Sequence, residues 1–430
     1  MHNSLTIVIF GATGDLYKSK LANALFDLFI KDSLPRKLSI LGFGRRPLGN
    51  VGFRTVTREA IMARKTKNNI EYKTEHLEEF LNKIHYFEGN LENIEDFKKL
   101  GVLMSANDAE VGICSNKLFY LAVPPKLYEI IFKNISLAGL TVPCASGVSA
   151  KEVEDSWTRV LVEKPFGKDL EQAERLDALL SELFDESQIF RIDHYLAKET
   201  MQKILDFRFK DSVLEKDWNN QHIEKIKIIF HESNTLASRG AFYEGMGAIR
   251  DVGQNHMLQM LALVAMKNPG EMSPSKIQNA RVEVLEKIKL FPNSKIIRAQ
   301  YDGYVDEANV SPDSKTETFF HLSLSVDDVL WKGVRFEFEG GKALEKTEVF
   351  IEVCFKDTAK NIVFPVSSSA GASYDAYEKV FYDCISGDQT VFTSTREVLA
   401  EWKLITSIIC VWQDMPIIVY KKGARAEEII

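Results

Sequence analysis

The sequence predicts two architectures in series: an α/β domain with a doubly wound parallel sheet, then an α+β domain with a large, mainly antiparallel sheet and helices on one face. Three observations carry this expectation. Up to residue 190, short apolar runs alternate with helical segments, the pattern of βαβ units. The first run ends in a glycine turn that opens a helix. After residue 220 the runs change to apolar–polar alternation, and no long helix separates those at 318–326, 334–338 and 348–355. The expected domains are therefore 1–190 and 191–430.

Taken in order, Thr6-Ile7-Val8-Ile9-Phe10 is a continuous apolar run, as in a strand buried on both faces. Gly11-Ala12-Thr13-Gly14-Asp15-Leu16 follows, and Leu21, Ala24, Leu25, Leu28 and Phe29 recur at helical spacing. Strand, glycine turn and helix is the context of a dinucleotide-binding fingerprint, in which glycines let the backbone approach a pyrophosphate. The spacing is Gly-x-x-Gly rather than Gly-x-Gly-x-x-Gly, so a plain tight turn explains this stretch equally well. The second strand, 38–42, runs into Phe43-Gly44-Arg45-Arg46. An NAD site would place Asp or Glu here for the ribose 2′-hydroxyl; arginines suit a 2′-phosphate and favour NADP, the alternative being two surface arginines in a loop.

Residues 51–83 predict charged helices, and 84–89 a third strand. Lys117 to Val123 form a fourth, ended by Pro124 and Pro125, which cannot continue a ladder. The fifth, 158–162, runs into Glu163-Lys164-Pro165-Phe166-Gly167. Gly11, Arg45, Pro124 and Lys164 thus all follow strands at their carboxyl ends, where Rossmann-like sheets bind ligands. Asp169 reads as an N-cap with Gln172 three residues on, ahead of the stripe Leu170, Ala173, Leu176, Leu180 and Phe184.

At the junction stands Arg191-Ile192-Asp193-His194-Tyr195-Leu196-Ala197-Lys198-Glu199, the end of a strand followed by a helix over 199–209. If that helix begins near His194, His194 and Lys198 share one face. Further on, Ile226, Ile228 and Phe230 alternate with Lys225 and Lys227, and Glu232 falls on the apolar face, costly unless paired. Residues 248–266 predict one helix carrying Asp251, Asn255 and His256 beside the stripe Met257, Met260, Leu261 and Val264. A satisfied core histidine is an equal reading of His256. Another strand is expected at 296–304, a turn at Gly340-Gly341-Lys342, and helices at 374–386 and 397–411.

Composition narrows the function. A chain of 430 residues with 45% hydrophobic and 27% charged residues fits a two-domain globular enzyme. A net charge of −7 argues against nucleic-acid binding. No apolar run approaches the roughly 20 residues that span a bilayer, and no basic region precedes residue 6, so neither membrane insertion nor a signal peptide is expected. Five cysteines, Cys114, Cys144, Cys354, Cys384 and Cys410, lie far apart without metal-ligand spacing; they are expected to be inert thiols in a reducing cytoplasm, with no metal bound. Lys164, His194, Lys198 and Lys342 suit a phosphorylated or carboxylated substrate. Asp193 and His256 suit the proton transfer that hydride loss from an alcohol requires, the carboxylate steadying the imidazolium. The residues themselves point to NADP-dependent oxidation of a small anionic alcohol or sugar.

Seven motifs then resemble glucose-6-phosphate dehydrogenase, in that family's order: 11–16, 163–167, 191–196, Arg250-Asp251, Gln254-Asn255-His256, Gly341-Lys342-Ala343-Leu344 and Gly387-Asp388-Gln389-Thr390. The resemblance implies His256 as general base at the sugar C1 hydroxyl, oriented by Asp193. It implies His194, Tyr195 and Lys198 at the substrate phosphate, Glu232 and Asp251 at sugar hydroxyls, and Lys342 as a further substrate lysine. Lys164 would meet both sugar and cofactor. NADP would lie on Gly11, Thr13, Gly14, Asp15, Leu16 and Pro124, its 2′-phosphate at Arg45 and Lys20. The product would be 6-phosphoglucono-δ-lactone, the first step of the oxidative pentose phosphate pathway. A cytoplasmic homodimer or dimer of dimers, joined through the outer face of the antiparallel sheet, is also implied.

The chain departs from the pattern in places. Glu345-Lys346-Thr347 stands where the family has an arginine, and whether Lys346 substitutes for that cation is open from the sequence. Ser367-Ser368-Ser369-Ala370-Gly371 replaces a Gln-Pro segment bearing an acidic residue, and no counterpart is expected of the tail that holds a second, structural NADP in some members. A dehydrogenase of another phosphorylated sugar, or a non-catalytic NADP sensor, are the alternatives; intact Asp193, His256 and Lys198 count against the sensor.

Overall fold

The computed structural model of the chain describes residues 4–68, 71–144, 156–210, 215–236, 240–366 and 374–430. It divides into two compact units: Met1–Gly167, Glu174–Ile192 and Ser373–Ser394 form the first, and Lys168–Ala173, Asp193–Ala372 and Thr395–Ile430 the second.

The first unit contains β1 (Ser4–Phe10), β2 (Lys37–Gly44), β3 (Ile84–Glu88), β4 (Asn116–Leu121), β5 (Thr158–Val162) and β6 (Ile189–Ile192). Their order is β6-β5-β4-β1-β2-β3, all parallel, with the short strand Phe392–Thr393 added antiparallel to β6. This is the doubly wound order whose direction reverses between β1 and β4. The apolar run of β1 is buried along its whole length, as its composition requires. Phe10 stacks with Phe97 and Phe119 at ring centroid distances of 5.5 and 6.0 Å. Asp169 caps the helix Leu170–Leu183, its Oδ1 accepting from the Gln172 amide at 2.9 Å.

Ser373–Ser394, late in the sequence, belongs to this first unit. Its helix Ala376–Ser386 ends at Gly387, whose φ of +84° is the left-handed conformation glycine adopts freely. The Arg159 guanidinium donates to the carbonyls of Cys384 and Ile385 at 2.7 and 2.9 Å, satisfying that helix end.

The expectation of five unpaired thiols is corrected. Cys114 and Cys144 form a disulfide, their Cα atoms 6.1 Å apart, while Cys354, Cys384 and Cys410 remain free. A separation of 30 residues concealed the pairing: Cys114 follows the helix Ile94–Val111 and Cys144 comes after the helix Tyr128–Leu137.

The second unit holds β7 (Ile223–His231), β8 (Ile288–Leu290), β9 (Ile297–Tyr301), β10 (Phe319–Val326), β11 (Arg335–Gly341), β12 (Glu348–Phe355) and β13 (Ile362–Pro365). The order is β13-β12-β7-β11-β10-β9, followed by Ile418–Tyr420, with β8 against β10. The pairs β7–β11 and β9 with Ile418–Tyr420 are parallel and the others antiparallel. Ile226 and Ile228 are fully buried, whereas Lys225 and Lys227 on the other face pair with Glu337 and Glu352. The expected turn at 340–342 begins later, because Gly340 and Gly341 belong to β11. Their lack of a side chain admits the rings of Phe320 and Phe319, which a Cβ would meet at 2.8 and 2.6 Å. No helix among the described residues is long and apolar enough to cross a membrane.

Candidate active site

In the first unit the glycine turn is shaped by close backbone approach. Gly11 has φ +84°, its amide donates to Phe43 O at 3.2 Å, and a Cβ there would lie 2.3 Å from Ala122 O. Gly14 N–H closes the turn on Gly11 O at 2.9 Å. Thr13 and Leu16 are half-buried, while Asp15 and Lys20 face solvent. Arg45 and Arg46 are exposed directly after β2, and the Tyr86 hydroxyl donates to Arg46 O at 2.7 Å. Pro124 is exposed after β4 and opens the short turn Pro125–Leu127. A turn without room for a Cβ, with cations rather than an acid after β2, fits a dinucleotide bearing a 2′-phosphate.

Lys164 is half-buried just past β5. Two buried tyrosines brace its predecessor: Tyr120 O–H donates to Glu163 Oε1 at 2.6 Å and Tyr128 O–H to Glu163 O at 2.8 Å. Burial, reinforced by Glu163, pushes both phenols well above their ordinary range, so they remain donors. The sequence reading missed this bracket. Its signal was a pair of tyrosines among residues otherwise read as core.

The longest segment of the second unit begins at Asp193, directly after β6, and the Asp193 carboxylate organises the next four residues. Asp193 Oδ1 accepts from the backbone amides of Tyr195 at 2.8 Å and Leu196 at 3.3 Å, folding 194–197 into a turn. The helix starts only at Glu199, with Lys198 extended at φ −71°, ψ 142°. His194 and Lys198 therefore do not share a helical face: the Asp193 turn takes the residues a first helical turn would have used. His256 Nδ1–H donates to the same Asp193 oxygen at 2.7 Å, and both side chains are buried. With Nδ1 so engaged, Nε2 is the ring nitrogen available to take a proton.

The Tyr195 ring lies 4.4 Å from the His256 ring, and Lys198 Nζ sits 3.8 Å over the Tyr195 ring while donating to Val366 O at 3.0 Å. Burial lowers Lys198 to about 8, against the opposing pull of Asp193. Burial also raises the Tyr195 hydroxyl above its ordinary range, with Glu232, Asp193 and Asp251 adding to it. His194 is half-buried beside this group in the chain.

The helix expected over 248–266 is not uniform. Ile249–Met257 is a π-helix, and the α-helix proper is Leu258–Ala265. The difference matters for spacing. Residues five apart diverge by about 140° around an α-helix, but π-type i→i+5 hydrogen bonding brings them onto one side. Asp251 and His256 are five apart. Asp251 accepts from Lys342 Nζ at 3.2 Å, and the same buried ammonium pairs with Glu232 and lies 5.4 Å over the Tyr243 ring. Glu232 thus stands beyond the end of β7 with a cation as partner, which resolves the acid found at an apolar strand end. Lys346 is 65% exposed in its side chain and pairs with Glu348 at 3.0 Å. Residues 367–371 lie outside the described residues.

Models of two families match the chain: the glucose-6-phosphate dehydrogenase NAD-binding domain over residues 8–203, and the glucose-6-phosphate dehydrogenase C-terminal domain over 205–372 and 365–428. The chain is 33% identical to glucose-6-phosphate 1-dehydrogenase of Chlamydia muridarum, covering 94% of this chain and 90% of that protein. It is 33% identical to a cytoplasmic glucose-6-phosphate 1-dehydrogenase of Arabidopsis thaliana, covering 98% and 89%. A solved glucose-6-phosphate dehydrogenase in complex with glucose 6-phosphate matches with a TM-score of 0.87 at 28% identity, over 99% of this chain and 95% of that one. The enzyme of Mycobacterium avium matches with a TM-score of 0.82 at 29% identity, over 98% and 95%. A buried Asp–His pair, a glycine turn followed by arginines, and this agreement along nearly the whole chain lead to one conclusion: the protein belongs to the glucose-6-phosphate dehydrogenase family.

Proposed function

We propose that the protein oxidises D-glucose 6-phosphate at C1 to 6-phosphoglucono-δ-lactone with formation of NADPH, the first step of the oxidative pentose phosphate pathway. The observation that carries the reading is the buried hydrogen bond from His256 Nδ1 to Asp193 at 2.7 Å. It leaves Nε2 to take the C1 hydroxyl proton, while Asp193 stabilises the imidazolium that results. NADP, when bound, supplies the acceptor for the hydride that leaves C1. The His256 proton is then released to water, which restores the base.

The remaining residues divide the substrate among them. Lys198, Tyr195 and His194 receive the phosphate, a role supported by an ammonium already held at a partly buried site. Glu232 and Asp251 accept from sugar hydroxyls, with Lys342 compensating their charge, and Lys346 adds a cation outside them. Lys164, fixed in place by the Glu163 bracket, serves sugar and cofactor. Gly11, Thr13, Gly14, Asp15, Leu16 and Pro124 form the dinucleotide surface, and Arg45 and Lys20 receive the 2′-phosphate. The protein acts in the cytoplasm, in line with the named compartment of its Arabidopsis relatives, and as a homodimer or dimer of dimers.

The test is direct. Purified protein given NADP and glucose 6-phosphate produces the near-ultraviolet absorbance of NADPH, and NAD serves less well. A folded, NADP-binding protein that turns over no phosphorylated aldose refutes the enzyme reading; turnover of another phosphorylated sugar alone would reassign the substrate. Light scattering at a monomer mass across concentrations would refute the dimer.

A further inference from the structure

A buried carboxyl group with no part in the proposed proton transfer lies behind His256. Glu401, on the helix Thr395–Trp412, is 1% exposed. Its Oε2 accepts from Gln254 Nε2 at 3.2 Å and its Oε1 from Gln259 Nε2 at 2.6 Å. Gln254 and Gln259 are five residues apart, the same separation as Asp251 and His256. On an α-helix they would point about 140° apart and could not meet one carboxyl group. Gln254 lies in the π-helix Ile249–Met257 and Gln259 in the second position of the α-helix Leu258–Ala265 that continues it, and the wider winding before Leu258 brings the two amides to one carboxyl group. From Gln254 the chain of contacts continues to the base: Asn255 Nδ2 donates to Gln254 Oε1 at 3.3 Å, and the His256 amide donates to Asn255 Oδ1 at 2.7 Å.

We propose that Glu401 is a positioning residue: by receiving both glutamine amides it holds the π-helical register that sets His256 against Asp193 and on the same side as Asp251. The inference rests on the reading of His256 as the base. A π-helical turn is a strained way to wind a chain and persists where surrounding contacts fix it. Here the fixing contacts come from a separate helix and reach residues on either side of His256. Met, Leu or Ala at 401 would fill space without choosing between windings, because only a group with two polar ends recognises residues five apart.

The electrostatic setting agrees. The Arg281 guanidinium serves Glu397, one turn before Glu401, through hydrogen bonds of 2.7 and 3.4 Å, whereas Glu401 receives neutral amides. Burial, then the charges of Glu397 and Asp193, push the Glu401 carboxyl well above the usual range despite the opposing Gln259 hydrogen bond and Arg281. The direction of that shift favours the uncharged acid over a second negative charge near Asp193. Tyr195 and Lys198, from the turn after β6, also feel the Asp193 charge, and Glu232 from the end of β7 and Asp251 from the π-helix, both paired with Lys342 from the end of β11, act on the same Tyr195 hydroxyl.

The experiment compares Glu401→Gln with Glu401→Ala in full-length protein, measuring kcat, KM and the pH profile of kcat. Glutamine keeps both contacts once one amide partner turns over, so Glu401→Gln retains kcat within about threefold and an unmoved acid limb. Glu401→Ala loses kcat by about tenfold or more, in the range expected when a catalytic group is displaced by a fraction of an ångström. Its acid limb moves to lower pH, because a His256 less well held by Asp193 gives up its proton more easily. A purely structural defect lowers the thermal midpoint and the active fraction without moving that limb. If Glu401→Ala does not fold, Gln254→Met removes the link from the other end and carries the same expectation. A folded Ala or Met variant with parental kcat and acid limb overturns the proposal, as does a Gln variant as impaired as Ala. His256→Asn is the control: if it alone is as active as the parent, the base assignment fails; if it is inactive while Glu401→Ala is normal, only the positioning role fails.

Discussion

The two units present their polar groups by contrasting means. In the first, the proposed dinucleotide surface is a matter of backbone: Gly11 is pressed against Ala122 O, and its cations Arg45 and Lys20 stand exposed and lightly tied. In the second, the proposed sugar site consists of buried and half-buried side chains committed to one another before any substrate arrives: His256 to Asp193, and Lys342 to Glu232 and Asp251. A surface of the first kind tolerates loss of one cation, since water replaces it. A cluster of the second kind does not, since removing one member leaves a buried charge without its partner.

That contrast orders the expected effects of substitution. His256→Asn should lower kcat by about 10²–10⁴ with substrate affinity roughly kept, the usual loss when a general base is removed; steady-state kinetics showing a parental kcat would remove the pair from the mechanism. Lys342→Met should raise KM for glucose 6-phosphate by about tenfold to a hundredfold, the scale of a lost charge-assisted contact, and should lower the thermal midpoint as well. A change in KM without any loss of stability would mean that Glu232 and Asp251 do not depend on the ammonium. Arg45→Ala should weaken NADP by about tenfold and leave NAD nearly unaffected; equal effects in titrations with both dinucleotides would show that the arginine does not meet the 2′-phosphate.

The smallest effect concerns pH. Lys198 is lowered to about 8 by burial, so in the free enzyme its charge is present below that pH and is lost as the pH rises through it. KM for the phosphorylated substrate should therefore climb above pH 8, by a few-fold for one charge among several. Lys198→Arg, which stays charged, should flatten that climb. The sign for stability is the reverse. Because the folded lysine binds its proton less tightly than the unfolded one, its charge costs stability in full below about pH 8, and that cost fades as the pH rises from there toward the ordinary lysine value of 10.5. A KM that is level from pH 7 to pH 9 would separate Lys198 from phosphate binding.

The same contrast explains what could be read from the sequence. Backbone-built features announce themselves locally: the glycine turn, the prolines after β4, the Asp169 cap and the alternation of β7 all follow from residues within a few positions of one another. Side-chain clusters do not. Apart from the family resemblance, Glu232 drew notice only as an acid at an apolar strand end, and the partner that accounts for it lies 110 positions on. The pairing of Cys114 with Cys144 and the bracket of Tyr120 and Tyr128 on Glu163 were invisible for the same reason. The winding of Ile249–Met257 was missed differently. Its apolar spacing satisfies an α-helix well enough, and the extra residue per turn shows only when one asks which side chains five apart share a partner.

The placement of Ser373–Ser394 has a consequence for how the molecule is made. The parallel sheet of the first unit is complete in its long strands by Ile192, but its edge strand and the helix that receives Arg159 are encoded some two hundred residues later. A ribosome therefore releases the dinucleotide-binding half with β6 as an open edge and with the guanidinium of Arg159 lacking its carbonyls, through the whole synthesis of the second sheet. Excising residues 1–192 as a stand-alone cofactor module would reproduce that nascent state rather than a finished domain, and a chain stopped before residue 394 would forfeit both halves, not one.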